Sequence, residues 1–250
     1  MACLFLSFAH PDDESFFCAG VARKYADAGV KVVLCCATRG ERGSAGTPPL
    51  ASVDELPALR EQELRAAAVA MGVAHLELLP YQDQQLADAP AAEVCESLVR
   101  LLRRFRPEIV ITFGPHGGNR HTDHVAISRF TSDAVGAAAD ARWYPDAGAP
   151  HPTARLLWVN PASPWEATDR VALARTPGVD FLIDVGAWRE AKASALAAHR
   201  TQHAGIDRLF LQRADRDAVL STETFRLGCG AALRRVPADD LFAELDQPIR

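Results

Sequence analysis

Four short apolar runs separated by helical patterns constrain this chain more than any other feature. Cys3–Phe8, Val30–Ala37, His75–Leu79 and Glu108–Phe113 are rich in strand-forming residues, and apolar positions recur at helical spacing through Ser15–Ala28, Leu59–Met71 and Ala92–Phe105. Alternation of this kind joins parallel strands through helical crossovers, which cover both faces of the sheet. The runs Val32–Cys36 and Ile109–Ile111 contain no polar alternate, as expected of strands buried on two sides. The fold class is therefore read as α/β, a Rossmann-like doubly wound and mostly parallel sheet whose first strands take the order 3-2-1-4-5. At 250 residues the chain is read as one domain. Residues 1–140 form the Rossmann-like core, and 141–250 form a looser C-terminal α/β extension of it.

The stretch Gly40–Pro57, rich in Gly, Pro and Ser, reads as a long loop leaving the second strand. A helix is expected from about Thr122, then strands at Arg155–Asn160 and Val179–Val185, a helix over Trp188–Thr201 and a final alternating strand at Thr222–Leu227. The sequence shows no internal repeat and no strong domain boundary.

Composition narrows the partners. The net charge is -5 and basic residues are interspersed with acidic ones, which is not the field of a nucleic-acid binder. The apolar run Ala2–Ala9 is far below the roughly 20 residues of a membrane span and lacks the marks of a signal peptide. It reads as a buried strand of a cytoplasmic protein without membrane insertion. Six cysteines form no C-x-x-C pair, and adjacent Cys35 and Cys36 would face opposite sides of a strand, so all are read as small buried hydrophobes.

Two clusters carry chemistry. His10-Pro11-Asp12-Asp13-Glu14 follows the first strand and crowds three carboxylates beside an imidazole, which calls for a cation or hydrogen bonds unless it is only a surface turn with a helix cap. His121-Thr122-Asp123-His124 follows the fourth strand and the turn Gly114-Pro115-His116-Gly117-Gly118. In a helix opened by Thr122 the two histidines, at i and i+3, share a side, and Asp123 can bond a neighbouring ring nitrogen. Strands one and four are neighbours in the expected order, so both clusters fall at the crevice beyond their carboxyl ends, where open α/β sheets bind ligands. Two histidines and a carboxylate there make a His/Asp/His metal set with a position left for water.

Together, A-H-P-D-D-E and H-x-D-H resemble the PIG-L/LmbE-like family of zinc-dependent N-acetylglucosaminyl de-N-acetylases. The resemblance extends to Thr38-Arg39-Gly40-Glu41, Arg60-x-x-Glu63, Asp83 and the Lys192…His199-Arg-Thr-Gln202 segment. It implies a hydrolase that releases acetate and a free amine from an N-acetylglucosamine-type conjugate. His10, Asp13 and His124 would hold one Zn2+ per chain, with Fe2+ also accommodated by this ligand set. Asp12 matches the general base that takes a proton from the attacking water. His121 matches the residue that stabilises the oxyanion or protonates the leaving amine, and Asp123 would orient the His121 ring and favour its charged form.

Substrate contacts are expected from Arg60, whose other reading is a helix-surface ion pair at i,i+3 spacing, and from Asp83, with Glu41 in the long loop as a further candidate. Arg120 would either add a cation that biases the site towards a phosphorylated or carboxylated aglycone or point to solvent, as Arg usually does. The departures from the family pattern, Asn119-Arg120 before His121 and Thr122 in place of a common Pro, touch none of the implied ligands. His199 and Gln202, near a helix end, are read as structural. Competing readings are a metal-dependent phosphodiesterase, which needs a second metal, and a catalytically silent relative acting as a binding protein. The expected partner is a small amino sugar rather than nucleic acid, and the sequence leaves open a homo-oligomer.

Overall fold

The structure, a computed structural model, describes residues 1–159 and 161–245. Its seven strands are β1 (Cys3–Phe8), β2 (Lys31–Cys36), β3 (His75–Leu78), β4 (Ile109–Phe113), β5 (Arg155–Val159), β6 (Phe181–Asp184) and β7 (Thr222–Gly230). They form one sheet in the order β3-β2-β1-β4-β5-β7-β6. The first five are parallel neighbours in the order read from the sequence, and β7 runs antiparallel to both β5 and β6. Every residue of β1 and β4 is buried, which accounts for their unbroken apolar runs.

Six main helices flank the sheet: α1 (Asp13–Phe17), α2 (Ala19–Asp27), α3 (Leu56–Ala70), α4 (Ala91–Phe105), α5 (Thr122–Ala139) and α6 (Arg189–Ala198). Among the described residues no helix is long and apolar enough to cross a membrane. Phe5, Phe8, Phe113 and Phe225 lie in the core between the layers.

Several boundaries differ from the sequence expectation, each for a tertiary reason. The helix expected over Ser15–Ala28 is two helices broken at Cys18. The break exposes a fresh helix start, and the Glu223 carboxylate on β7 accepts the Gly20 and Val21 N–H groups there at 3.0 and 2.7 Å. Helix α3 begins at Leu56 rather than Leu59, because Pro57 sits in the first turn, where its missing N–H costs nothing. Helix α6 stops at Ala198, short of Thr201, as His199 turns its side chain into the interior. Strand β7 runs on to Gly230 since its far end pairs with β5 at Arg155 and Leu156.

The expected strand Arg155–Asn160 ends at Val159, and Asn160 lies outside the described residues, as do 246–250 of the expected extension. Five cysteines are buried as expected, whereas Cys229, near the end of β7, is exposed. Residues beyond 140 continue the same sheet, and the buried Arg155 guanidinium donates to Ala231 O and Leu241 O at 3.0 and 2.8 Å.

Candidate metal centre and active-site cleft

The strand order brings the ends of β1 and β4 together, and the two clusters that follow them meet there. His10 lies two residues past β1, and Asp13 opens α1. His124 sits in the first turn of α5, with its ring stacked on Phe113 of β4 at 4.0 Å between centroids and 8° between planes. The three side chains form a triangle: His10 Nδ1 to His124 Nε2 is 3.2 Å, His124 Nε2 to Asp13 Oδ1 3.3 Å, and His10 Nδ1 to the other carboxylate oxygen, Asp13 Oδ2, 3.5 Å. Nitrogen and oxygen ligands about 2.0–2.1 Å from a zinc-type ion at near-tetrahedral angles stand roughly 3.4 Å apart. The triangle has that size.

The surrounding bonds fix which nitrogen of each ring faces the triangle. His124 Nδ1 lies 3.1 Å from Gly117 O and can only donate to it, which leaves Nε2 as the lone-pair donor. Gly117 makes this close approach at φ 67, and a Cβ there would come within 2.8 Å of His124 Cβ. The other edge of His10, Nε2, lies between Asp83 Oδ1 at 3.1 Å and Asp123 Oδ2 at 3.2 Å, so its proton is spent there and Nδ1 is free to ligate.

His10, Asp83 and Asp123 thus cluster tightly, yet their oxygens are engaged elsewhere. Asp83 Oδ2 accepts Arg42 N–H, and Asp123 accepts the N–H groups of Gln84 and Leu86. Both carboxylates hold the His10 ring by its Nε2 edge, as orienting partners of a metal-ligating histidine would. Removing such a partner weakens metal binding about 10–100-fold. Asp123→Ala is accordingly expected to lose affinity by that factor in a chelator competition, and unchanged affinity would refute the assignment.

Electrostatics point the same way. Burial depresses the basicity of His10, but Asp123, Asp13 and Asp83 together overcome it and raise its pKa well above the ordinary value. Burial likewise opposes, and the two histidines outweigh, the ionisation of Asp13, whose carboxyl is held far below the usual range. The pocket is built to receive positive charge.

Asp12 adopts φ 118 as the residue preceding α1, a region that side-chain-bearing residues rarely occupy and that costs on the order of 1–3 kcal/mol. Glu14 Oε2 accepts its N–H at 3.0 Å, and Arg60 donates to Asp12 Oδ2 at 3.2 Å. Burial raises the Asp12 carboxyl to about 6, against the pull of Arg60. His121 also lines the cleft, its ring 4.8 Å from that of His10 and 4.9 Å from that of His124. Its Nδ1 accepts Asp123 N–H at 3.2 Å, which places the ring proton of the neutral form on Nε2.

Two expectations change here. The Asp123 carboxylate faces His10 and not His121, because the first turn of α5 offers His121 only the Asp123 backbone. The charged form of His121 is disfavoured, by burial and then by the positive charge of His10 and His124.

The residues expected to contact substrate divide. Arg60 and Asp83 line the cleft, which encloses about 500 Å³. Arg60 is almost fully buried and donates to Gly40 O, Pro11 O and Asp12, so its guanidinium braces the Asp12 turn instead of reaching into the cleft. Glu41 accepts Asp83 N–H at 2.9 Å and forms no part of the wall. Arg120 is exposed, at φ 67, and also lies off the wall.

Sequence reasoning missed the apolar side of the cleft, made by Phe16, Phe17, Phe113, Trp165 and Leu209. Phe16 and Phe17 directly follow the first motif and were within reach of inspection, whereas Trp165 and Leu209 arrive from unpatterned segments. Gln202, read as structural, also lines the cleft.

Known proteins resemble this chain in sequence and fold. A family model described as PIG-L, GlcNAc-PI de-N-acetylase, matches residues 5–135. A 1D-myo-inositol 2-acetamido-2-deoxy-alpha-D-glucopyranoside deacetylase from Rhodococcus erythropolis is 34% identical over 245 residues, covering 80% of each chain. One of the same name from Streptomyces scabiei is 33% identical over 285 residues, covering 96% of this chain and 88% of its own. The solved structure of a conserved protein from Thermus thermophilus superposes with a TM-score of 0.70 at 26% identity, covering 93% of this chain and 97% of that one. With both metal motifs inside the matched span and the relatives covered over most of their length, this chain belongs to the PIG-L family.

Proposed function

We propose that the cleft hydrolyses the acetamide of an N-acetylglucosamine-type conjugate, releasing acetate and the free amine. The observation that carries the reading is the His10/Asp13/His124 triangle, with Asp12 and His121 on the same cleft wall. One Zn2+ per chain, or Fe2+, fits this donor set and would polarise the amide carbonyl and acidify water. Asp12 accepts the proton of the attacking water, a task its raised basicity suits, and passes it to the amine nitrogen as the C–N bond breaks, so that acetate and the free amine leave. The His121 Nε2–H donates to the oxygen that gains charge as the carbonyl is attacked. The aromatic wall excludes water from the opposite side. A phosphodiesterase would need a second metal, and the carboxylates that would bridge it, Asp83 and Asp123, are committed to backbone N–H groups and His10.

The relatives named as inositol-glycoside deacetylases point to a GlcNAc linked to a polyol as the nearest substrate model. Among the described residues Arg60 is the only lysine or arginine on the cleft wall, and both its terminal nitrogens donate within the chain while Nε is buried, so a neutral aglycone is the better fit. The test is to incubate metal-loaded protein with a panel of N-acetylglucosaminides and assay released amine. Neutral glycosides are expected to turn over and the corresponding sugar phosphate to fail. Inactivity across the whole panel with metal bound would overturn the proposal.

A further inference from the structure

The pair Glu14 and His199 is fully buried and has no part in the proposed chemistry, yet it adjoins the proposed base. Glu14 Oε2 accepts the N–H of Asp12, and Glu14 Oε1 accepts from His199 Nε2 at 2.8 Å and from Ser15 Oγ at 2.6 Å. Both Glu14 and His199 side chains are 0% exposed. A buried carboxylate oxygen is costly unless a hydrogen-bond partner stands beside it. His199 is that partner, and Glu14 in turn favours the charged ring against the cost of burial.

Asp12 needs this support because φ 118 is not a conformation its own residue type selects. Without His199, Glu14 Oε1 loses its 2.8 Å partner, the carboxylate is free to swing, and the Asp12 N–H loses a fixed acceptor. His199 is itself held in place. Thr201 donates from N and Oγ1 to Glu63 on α3 at 2.9 and 2.6 Å, and α3 also carries Arg60, which grips the other side of the Asp12 turn. The segment from His199 to Gln202 thus ties α6 to the helix that braces the base.

We propose that His199 is a positioning residue for Asp12, acting through the Glu14 carboxylate to hold the turn in which Asp12 works. The inference rests on the reading of Asp12 as the general base.

The test is a mutant cycle on metal-loaded protein, with kcat, KM and bound metal measured for each variant. His199→Ala is expected to lower kcat about 10–100-fold, as a misplaced base does, with KM within about 3-fold and one metal per chain. His199→Gln, which offers an amide N–H near the former Nε2, is expected to restore kcat to within about 3-fold of the parent. In an Asp12→Asn background, His199→Ala is expected to cost less than about 2-fold, since the group it positions is already gone. Equal losses in both backgrounds, no loss in the parent, or a loss that follows departing metal would each overturn the proposal. If His199→Ala does not fold, the isosteric Glu14→Gln carries the same cycle with the same expected outcomes. The reading of Asp12 stands or falls separately, on the activity of Asp12→Asn alone.

Discussion

Asp12→Asn is expected to lower kcat by about 10²–10⁴ while one metal per chain stays bound, the usual contribution of a positioned general base. The amide keeps the shape of the carboxylate and its contact with Arg60, so the loss reports proton transfer and not a collapsed turn. The pH profile gives a second readout. Asp12 works deprotonated, so activity rises as pH climbs through its pKa, which burial lifts to about 6 in the protein without metal. A cation at the neighbouring triangle favours the carboxylate and lowers that value. The acid limb of kcat is therefore expected at or below pH 6 in the parent and absent in Asp12→Asn. A variant that binds metal and retains full activity would remove Asp12 from the mechanism.

Lys192→Met is expected to produce the largest loss of stability. Lys192 Nζ lies 2.8 Å from Glu223 Oε1, and the two side chains are 0% and 1% exposed. Deleting one member of such a pair leaves a buried charge unpaired and typically costs about 3–5 kcal/mol. For a chain of this size that corresponds to a fall in Tm on the order of 10 °C. Glu223 also caps the start of α2, so the double substitution Lys192→Met with Glu223→Gln, which neutralises the charge but keeps a carbonyl acceptor, is expected to recover part of the loss. A shift below about 2 °C for the single variant would show that the pair contributes little.

The sequence exposes some of this molecule and hides the rest along physical lines. β1 is legible to the residue, since a strand buried on both faces is written as an uninterrupted apolar run and the motif after it stops that run sharply. The order of the first five strands is the one proper to the doubly wound class, to which the alternation of strands and helices points. The triangle of His10, Asp13 and His124 is within reach because each member stands in a short motif tied to a strand end. What stays hidden depends on partners distant in sequence. Glu223 is about two hundred residues from the helix it caps, which is why the break at Cys18 leaves no local mark. Arg60 reads in sequence as a surface ion pair or a substrate contact, and only the path of the 40–43 loop over its guanidinium shows it facing inward. Whether Asp123 serves His10 or His121 is a matter of one side-chain direction in the first turn of α5, finer than any spacing rule resolves.

β7 comes later in the chain than β6, yet it is inserted between β6 and β5. During synthesis the five parallel strands and both metal motifs leave the ribosome while the flank of β5 is still an open row of backbone donors and acceptors. That flank closes only when residues 222–230 emerge, and β6 must wait beside a gap until then. A nascent chain halted before residue 222 should therefore be readily cleaved by protease around 155–184, and become resistant once the missing strand is supplied.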